Sequence, residues 1–186
     1  MERTIKEFKI FTIVDFEKEE RYLTQMSKKG YRFKKVSFPG FYSFERVEPE
    51  DYVYRLTFKS SWDSDYDNYI ALFQDSGWEY IQEFMGWSYF RKKSDEKNTE
   101  IFSDNESKVE EIDKIFKSRY IPLFVIFSLL VLPNAMRVFS SGFHRLRSLH
   151  EYFLFLFIAI LYTLYVFLIT YCGLGIYKLR SKYLVK

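Results

Sequence analysis

The sequence is short of the residues that most often carry chemistry. It holds one cysteine, Cys172, and two histidines, His144 and His150, in 186 residues. A single cysteine excludes a disulfide framework and a multi-cysteine metal cluster. Residues 1–100 contain neither histidine nor cysteine, which removes Ser-His-Asp, Cys-His and zinc-type sites from that part. The glycines there, Gly30, Gly40, Gly77 and Gly86, stand alone. They form neither a dinucleotide fingerprint nor a phosphate-binding loop. Asp63, Asp65 and Asp67 are the one tight acidic alternation, but the glycine and the distal glutamate of a calcium loop are missing. They read as a helix cap on a solvated face. His144 and His150 read as interfacial polar residues rather than as a metal site or pH sensor. No catalytic, cofactor-binding or metal-ligating residue is expected, and the chain is not expected to be an enzyme.

Charge is missing from the stretch Tyr152 to Tyr177, YFLFLFIAILYTLYVFLITYCGLGIY. As a helix it would be about 39 Å long, more than a hydrocarbon core of about 30 Å. Tyrosines stand at both ends, and Lys178, Arg180, Lys182 and Lys186 follow, as at a membrane interface. Tyr120 to Met136 is a second uncharged run, shorter, with Pro122 and Pro133. Pro122 suits a first turn, whereas Pro133 is expected to kink the helix or mark its end. With no ionisable group in the longer stretch beyond Cys172 and the tyrosines, a transport pathway built from this chain alone is not expected.

The net charge of +3 conceals a division. Residues 1–118 hold 20 Lys and Arg against 24 Asp and Glu, whereas residues 119–186 hold 8 against Glu151 alone. The acidic first part argues against a nucleic-acid surface. The bias toward basic residues near Lys114, Lys117, Arg119 and the C-terminal tail, against Arg137, Arg145 and Arg147 in the intervening loop, places both ends of a helical hairpin in the cytoplasm. The N-terminus has no long apolar region and does not read as a signal peptide.

What the first part does have is alternation and aromatics. Lys6 to Val14 reads as a strand. Asp15 is placed as an N-cap, with Glu17, Glu19 and Glu20 favouring the helix start, and Phe16, Leu23 and Met26 on one stripe. Gly30 fits the position beyond that helix, where positive φ is needed. Tyr31 to Phe38 alternates and changes phase at Lys35, predicting a bulge or a strand end there. Pro39-Gly40 and Glu48 to Asp51 are turns, and Phe41 to Val47 and Tyr52 to Phe58 are strands. Ser64 to Asp67 resembles a capping box before the stripe Tyr66, Tyr69, Ile70 and Phe73. Gly77 closes that helix, and Trp78 to Ile81 and Trp87 to Phe90 form a hairpin around Met85-Gly86. The run Arg91-Lys92-Lys93 is expected to be a solvated strand end. The order predicts an α+β fold: a two-layer, ferredoxin-like antiparallel sheet with two helices on one face, followed by a two-helix transmembrane hairpin. Open sheet edges suggest pairing with a second copy or with a partner strand. The expected division is a soluble domain over 1–100, an amphipathic linker helix over 101–118, membrane segments over 119–139 and 152–177 with a loop over 140–151 between them, and a basic tail over 178–186.

Several pieces resemble a bacterial family of unassigned function, domain-of-unknown-function family 2812. They are Met26-Ser27-Lys28-Lys29-Gly30-Tyr31, Tyr52-Val53-Tyr54-Arg55-Leu56, Asp75-Ser76-Gly77-Trp78-Glu79, Trp87-Ser88-Tyr89-Phe90-Arg91-Lys92 and Ile101-Phe102-Ser103-Asp104. Where the family's first helix commonly has Trp before Leu, this chain has Tyr22-Leu23. The resemblance spans about half of the chain and implies no catalytic residues and no cofactor. It implies C-terminal membrane helices and a gene often placed beside a PadR-type transcription regulator. The expectation is a multi-pass membrane protein, tethered as a regulator or adaptor, whose cytoplasmic domain binds a protein partner and has the option of a homodimer. The alternative is an accessory or immunity subunit that acts through its helices on a transporter or a membrane-active peptide.

Overall fold

A strand, a helix and a hairpin follow one another twice between Thr4 and Lys93. The computed structural model describes residues 4–94, 105–142 and 149–184, and it divides into two units, Met1–Glu111 and Ile112–Lys186. The first repeat is β1 (Thr4–Phe8), α1 (Phe16–Lys28), β2 (Tyr31–Ser37) and β3 (Phe41–Arg46). The second is β4 (Tyr52–Thr57), α2 (Tyr66–Asp75), β5 (Glu79–Phe84) and β6 (Trp87–Lys93). Each repeat makes its own antiparallel three-stranded sheet, in the orders β1-β3-β2 and β4-β6-β5. The α+β antiparallel expectation holds, but the six strands divide into two sheets where one sheet was expected.

The two halves match in detail. Gly30 and Gly77 both have φ 82 and both end a helix. The register then shifts between Phe33 and Lys35 in β2 and between Tyr80 and Gln82 in β5, at the same distance from each glycine. Arg32 lies opposite Glu45, and at the matching place Glu79 lies opposite Arg91, with the charges exchanged. The second hairpin turns on Met85 and Gly86, both at positive φ, which suits the right-handed twist of the strands it joins.

The core sits under α1. Leu23, Phe33, Phe44, Tyr54 and Phe90 are essentially inaccessible to solvent. The Phe33 ring meets Tyr42, Phe44, Tyr54 and Tyr89 at centroid distances of 5.6 to 6.2 Å, a range in which tilted and edge-on rings attract. A second cluster of Phe73, Trp78 and Phe90 packs under α2 with Tyr69, Ile70 and Tyr80.

Three local expectations are corrected. Asp65 precedes α2 but makes no capping bond to it; its carboxylate takes the Lys59 ammonium at 2.5 Å instead. Asp15 likewise makes no side-chain capping bond to the α1 backbone; its carboxylate accepts the Thr12 hydroxyl and the ammonium of Lys18 in the first turn of that helix. The strand end Arg91-Lys92-Lys93 is not solvated along its length. Lys92 is buried and donates to the Ser76 carbonyl at 2.7 Å, and Arg91 forks onto Glu79 at 2.6 and 2.7 Å.

The second unit is helical. From α3 (Asn105–Ile115) the helix runs without a break through α4 (Ile121–Ile126) to α5 (Leu132–Gly142), with π turns at Phe116–Tyr120 and Phe127–Val131. Pro133 therefore does not end it. The proline follows closely on the widened π turn, which absorbs the break in the helix ladder, and the Asn134 side-chain amide donates to the Leu130 carbonyl at 2.7 Å. The last helix, α6, covers Leu149–Leu184. By length and composition, Asn105–Arg137 and Leu149–Leu184 are both able to cross a membrane, and the most apolar window of each is only 6% buried.

These two helices meet antiparallel. Arg180 pairs with Asp113 at 3.3 Å, Tyr120 packs on Gly173, Phe127 stacks on Tyr165 at 5.4 Å, and the Tyr165 hydroxyl donates to the Leu123 carbonyl. Residues 95–104, which include the Ile101 to Asp104 piece, and His144, Arg145 and Arg147 lie outside the described residues.

Gly40 admits no side chain. A Cβ there would overlap the Lys9 carbonyl oxygen, and its own carbonyl accepts the Lys9 amide at 2.9 Å. Gly40→Ala should destabilise the domain by about 2 kcal/mol or more. Urea unfolding of the detergent-solubilised chain, followed by the fluorescence of buried Trp78 and Trp87, measures this; an unchanged midpoint contradicts it.

Candidate functional site

Helix α1 carries carboxylates on the face that should be apolar. Phe16, Leu23 and Met26 are buried as their spacing predicts, but Glu19 and Ser27 are buried with them. Glu19 follows Phe16 and precedes Leu23 at helical intervals of three and four, so it falls on the same stripe. Its position was legible, but the first turn's acidity suggested only a favourable interaction with the helix N-terminus.

Glu19 joins the two halves of the domain. One of its oxygens accepts the Tyr42 hydroxyl at 2.6 Å and the Tyr89 hydroxyl at 2.7 Å. Tyr42 lies on β3 and Tyr89 on β6, the central strands of the two sheets. Burial pushes the Glu19 carboxyl above its usual range, and the two tyrosine hydroxyls oppose that rise. Burial and the neighbouring glutamate push both tyrosines upward in turn, so they remain donors.

The next residue closes a sheet edge. β4 is the outer strand of its sheet, and its backbone amides alternate outward. Tyr54 donates to Thr24 Oγ1 at 3.2 Å, Leu56 to Glu20 Oε1 at 2.8 Å, and Phe58 to Glu111 Oε1 at 2.6 Å. Helix side chains thus occupy amides that a neighbouring strand would otherwise take, so the edge expected to be open is covered here. Ser27 adds a hydroxyl bond to the Glu50 carbonyl at 2.8 Å. Burial pushes Glu20 up to about 8; the Arg55 guanidinium and the Leu56 amide oppose this, and the Glu111 and Glu17 carboxylates add to it.

The other residues singled out from sequence fall elsewhere. Asp63 and Asp65 both approach Lys59. Cys172 is buried on α6, and His150 is exposed near the start of that helix. Among the described residues, no group of three or more His, Cys, Asp or Glu is placed to hold a metal. The arrangement around α1 clamps one helix to two sheets by hydrogen bonds through carboxylates that favour a proton.

The model of a family described as "Protein of unknown function (DUF2812)" matches residues 15–125. The match begins at the residue before α1 and reaches into α4. No curated protein and no solved structure matches the chain.

The raised carboxyl groups set a pH dependence. Below the ordinary carboxyl value near 4.5, Glu20 is protonated in both folded and unfolded chains and its burial costs little. Between there and about 8 the unfolded chain releases the proton while the folded chain keeps it, so stability falls as pH rises through this window. Glu19 acts in the same direction. Urea midpoints should decline from pH 5 to pH 8, and Glu20→Gln, which keeps an acceptor for Leu56, should flatten the decline. An equal slope in the variant contradicts this assignment.

Proposed function

The chain belongs to that family of unknown function, and on this premise we propose that it is a membrane-tethered regulatory or adaptor protein. Its two bilayer-length helices hold the α+β unit at the membrane, with both chain ends on the cytoplasmic side, where basic residues accumulate. In this reading the two βαββ halves form a two-layer, ferredoxin-like body that offers a surface to a protein partner. A PadR-type transcription regulator is the first partner to test, and a second copy of the chain the next.

The observation that carries the reading is Trp62. It is 93% exposed in the loop before α2, and Leu72 on that helix is 62% exposed. Tryptophan is enriched among the residues that dominate protein interfaces, whereas a monomeric domain gains nothing by leaving one in water. The second reading, an accessory or immunity subunit acting through its helices on a transporter or membrane-active peptide, is favoured by the exposed apolar faces of α4 and α6. Deleting the α+β unit would leave function partly intact in that case.

Two measurements test the proposal. The intact protein should stay in the pellet when membranes are washed at alkaline pH; release to the supernatant sinks the tether. Affinity capture from detergent-solubilised membranes should recover a regulator, and Trp62→Ala should lower its recovery about tenfold or more at unchanged domain stability. Equal recovery with both chains removes Trp62 as the anchor.

A further inference from the structure

The tips of the two hairpins occupy equivalent places in the repeat but differ in chemistry. At the first tip Phe8, Ile10, Phe38 and Phe41 are 54%, 68%, 76% and 43% exposed. Phe8 and Phe41 face each other across β1 and β3 with ring centroids 5.2 Å apart. Lys6 and Lys35 flank Ser43 on the strands either side of β3, one step further from the tip, and both are exposed. From Arg32 to Arg46 the hairpin has four cations, Arg32, Lys34, Lys35 and Arg46, against one carboxylate, Glu45, which pairs with Arg32 and Lys34. At the second tip Met85 stands exposed between strands that carry Glu79 and Glu83, with no lysine or arginine from Trp78 to Phe90.

We propose that the first hairpin tip docks on the surface of an anionic bilayer, with Phe38, Phe41, Phe8 and Ile10 entering the headgroup region while Lys6 and Lys35 meet lipid phosphates. Aromatic and aliphatic side chains backed by lysines are the composition that binds such an interface. The cations sit in a half of the chain that is otherwise acidic, so the positive tip is local and not a reflection of the average. The inference rests on reading the two long helices as membrane-spanning, since the tether supplies the high effective lipid concentration that a patch of this size needs. No covalent anchor is required.

The test uses the full chain in lipid nanodiscs, in a Cys172→Ala background. A nitroxide label is placed at Ser37→Cys beside the tip, or at Met85→Cys as the matched control. Oxygen and a water-soluble nickel chelate report whether each label sits in lipid or in water. With phosphatidylglycerol present, the label at 37 should become oxygen-accessible and nickel-protected by several-fold, and the label at 85 should stay in water. Phosphatidylcholine alone should weaken the effect. Each lysine near an anionic surface favours docking by roughly fivefold, so Lys6→Glu with Lys35→Glu should cut the docked fraction more than about tenfold. A label at 37 that stays in water in both lipids overturns the proposal. So does one that is immobilised yet nickel-accessible, which marks a second copy or a protein on the tip. Protein that leaves the nanodisc altogether refutes the spanning helices instead, and so separates the two failures.

Discussion

A carboxylate taken out of water must find donors or give up its charge, and the α+β unit is arranged around two such groups on one helix turn. Glu19 draws a tyrosine from each sheet onto a single oxygen. Glu20 faces the opposite problem, a strand edge with amides to satisfy, and supplies the acceptor. The same helix thereby fastens the two sheets together and seals the border of one. Apolar packing alone would hold α1 against the aromatic core without fixing its rotation; the paired carboxylates permit one setting.

The halves of the domain solve the same geometrical problem with different residues. Each needs a glycine at positive φ to leave its helix, an irregularity early in the next strand, and an ion pair across the hairpin. Gly30 and Gly77 meet the first need identically, whereas Arg32–Glu45 and Glu79–Arg91 meet the last with reversed polarity. The correspondence between the halves lies in strand order and in where the backbone departs from regularity.

The elements themselves were legible. Period-two alternation marked Tyr52 to Phe58, the phase change at Lys35 marked the bulge, and Met85-Gly86 marked a two-residue turn. What sequence did not disclose depends on contacts far apart in the chain. Lys92 looked like part of a solvated basic run, and only the fold brings the Ser76 carbonyl to it. Pro133 was expected to kink the helix or to end it, and only the fold shows the helix continuing past it behind a π turn. Asp15 and Asp65 occupy cap positions by backbone but spend their oxygens on Thr12, Lys18 and Lys59. Nothing in local propensity distinguishes these choices.

The helical hairpin is pinned at separate heights, by Arg180 on Asp113, by Tyr120 in the hollow over Gly173, and by Tyr165 against Leu123 and Phe127. A piston stroke of one helix along the other by a full turn, about 5.4 Å, would break all of these together and set Tyr120 against a residue with a side chain in place of Gly173. Sliding by a turn is thus opposed at three heights, whereas a tilt or roll of both helices as one rod leaves every one of these contacts in place.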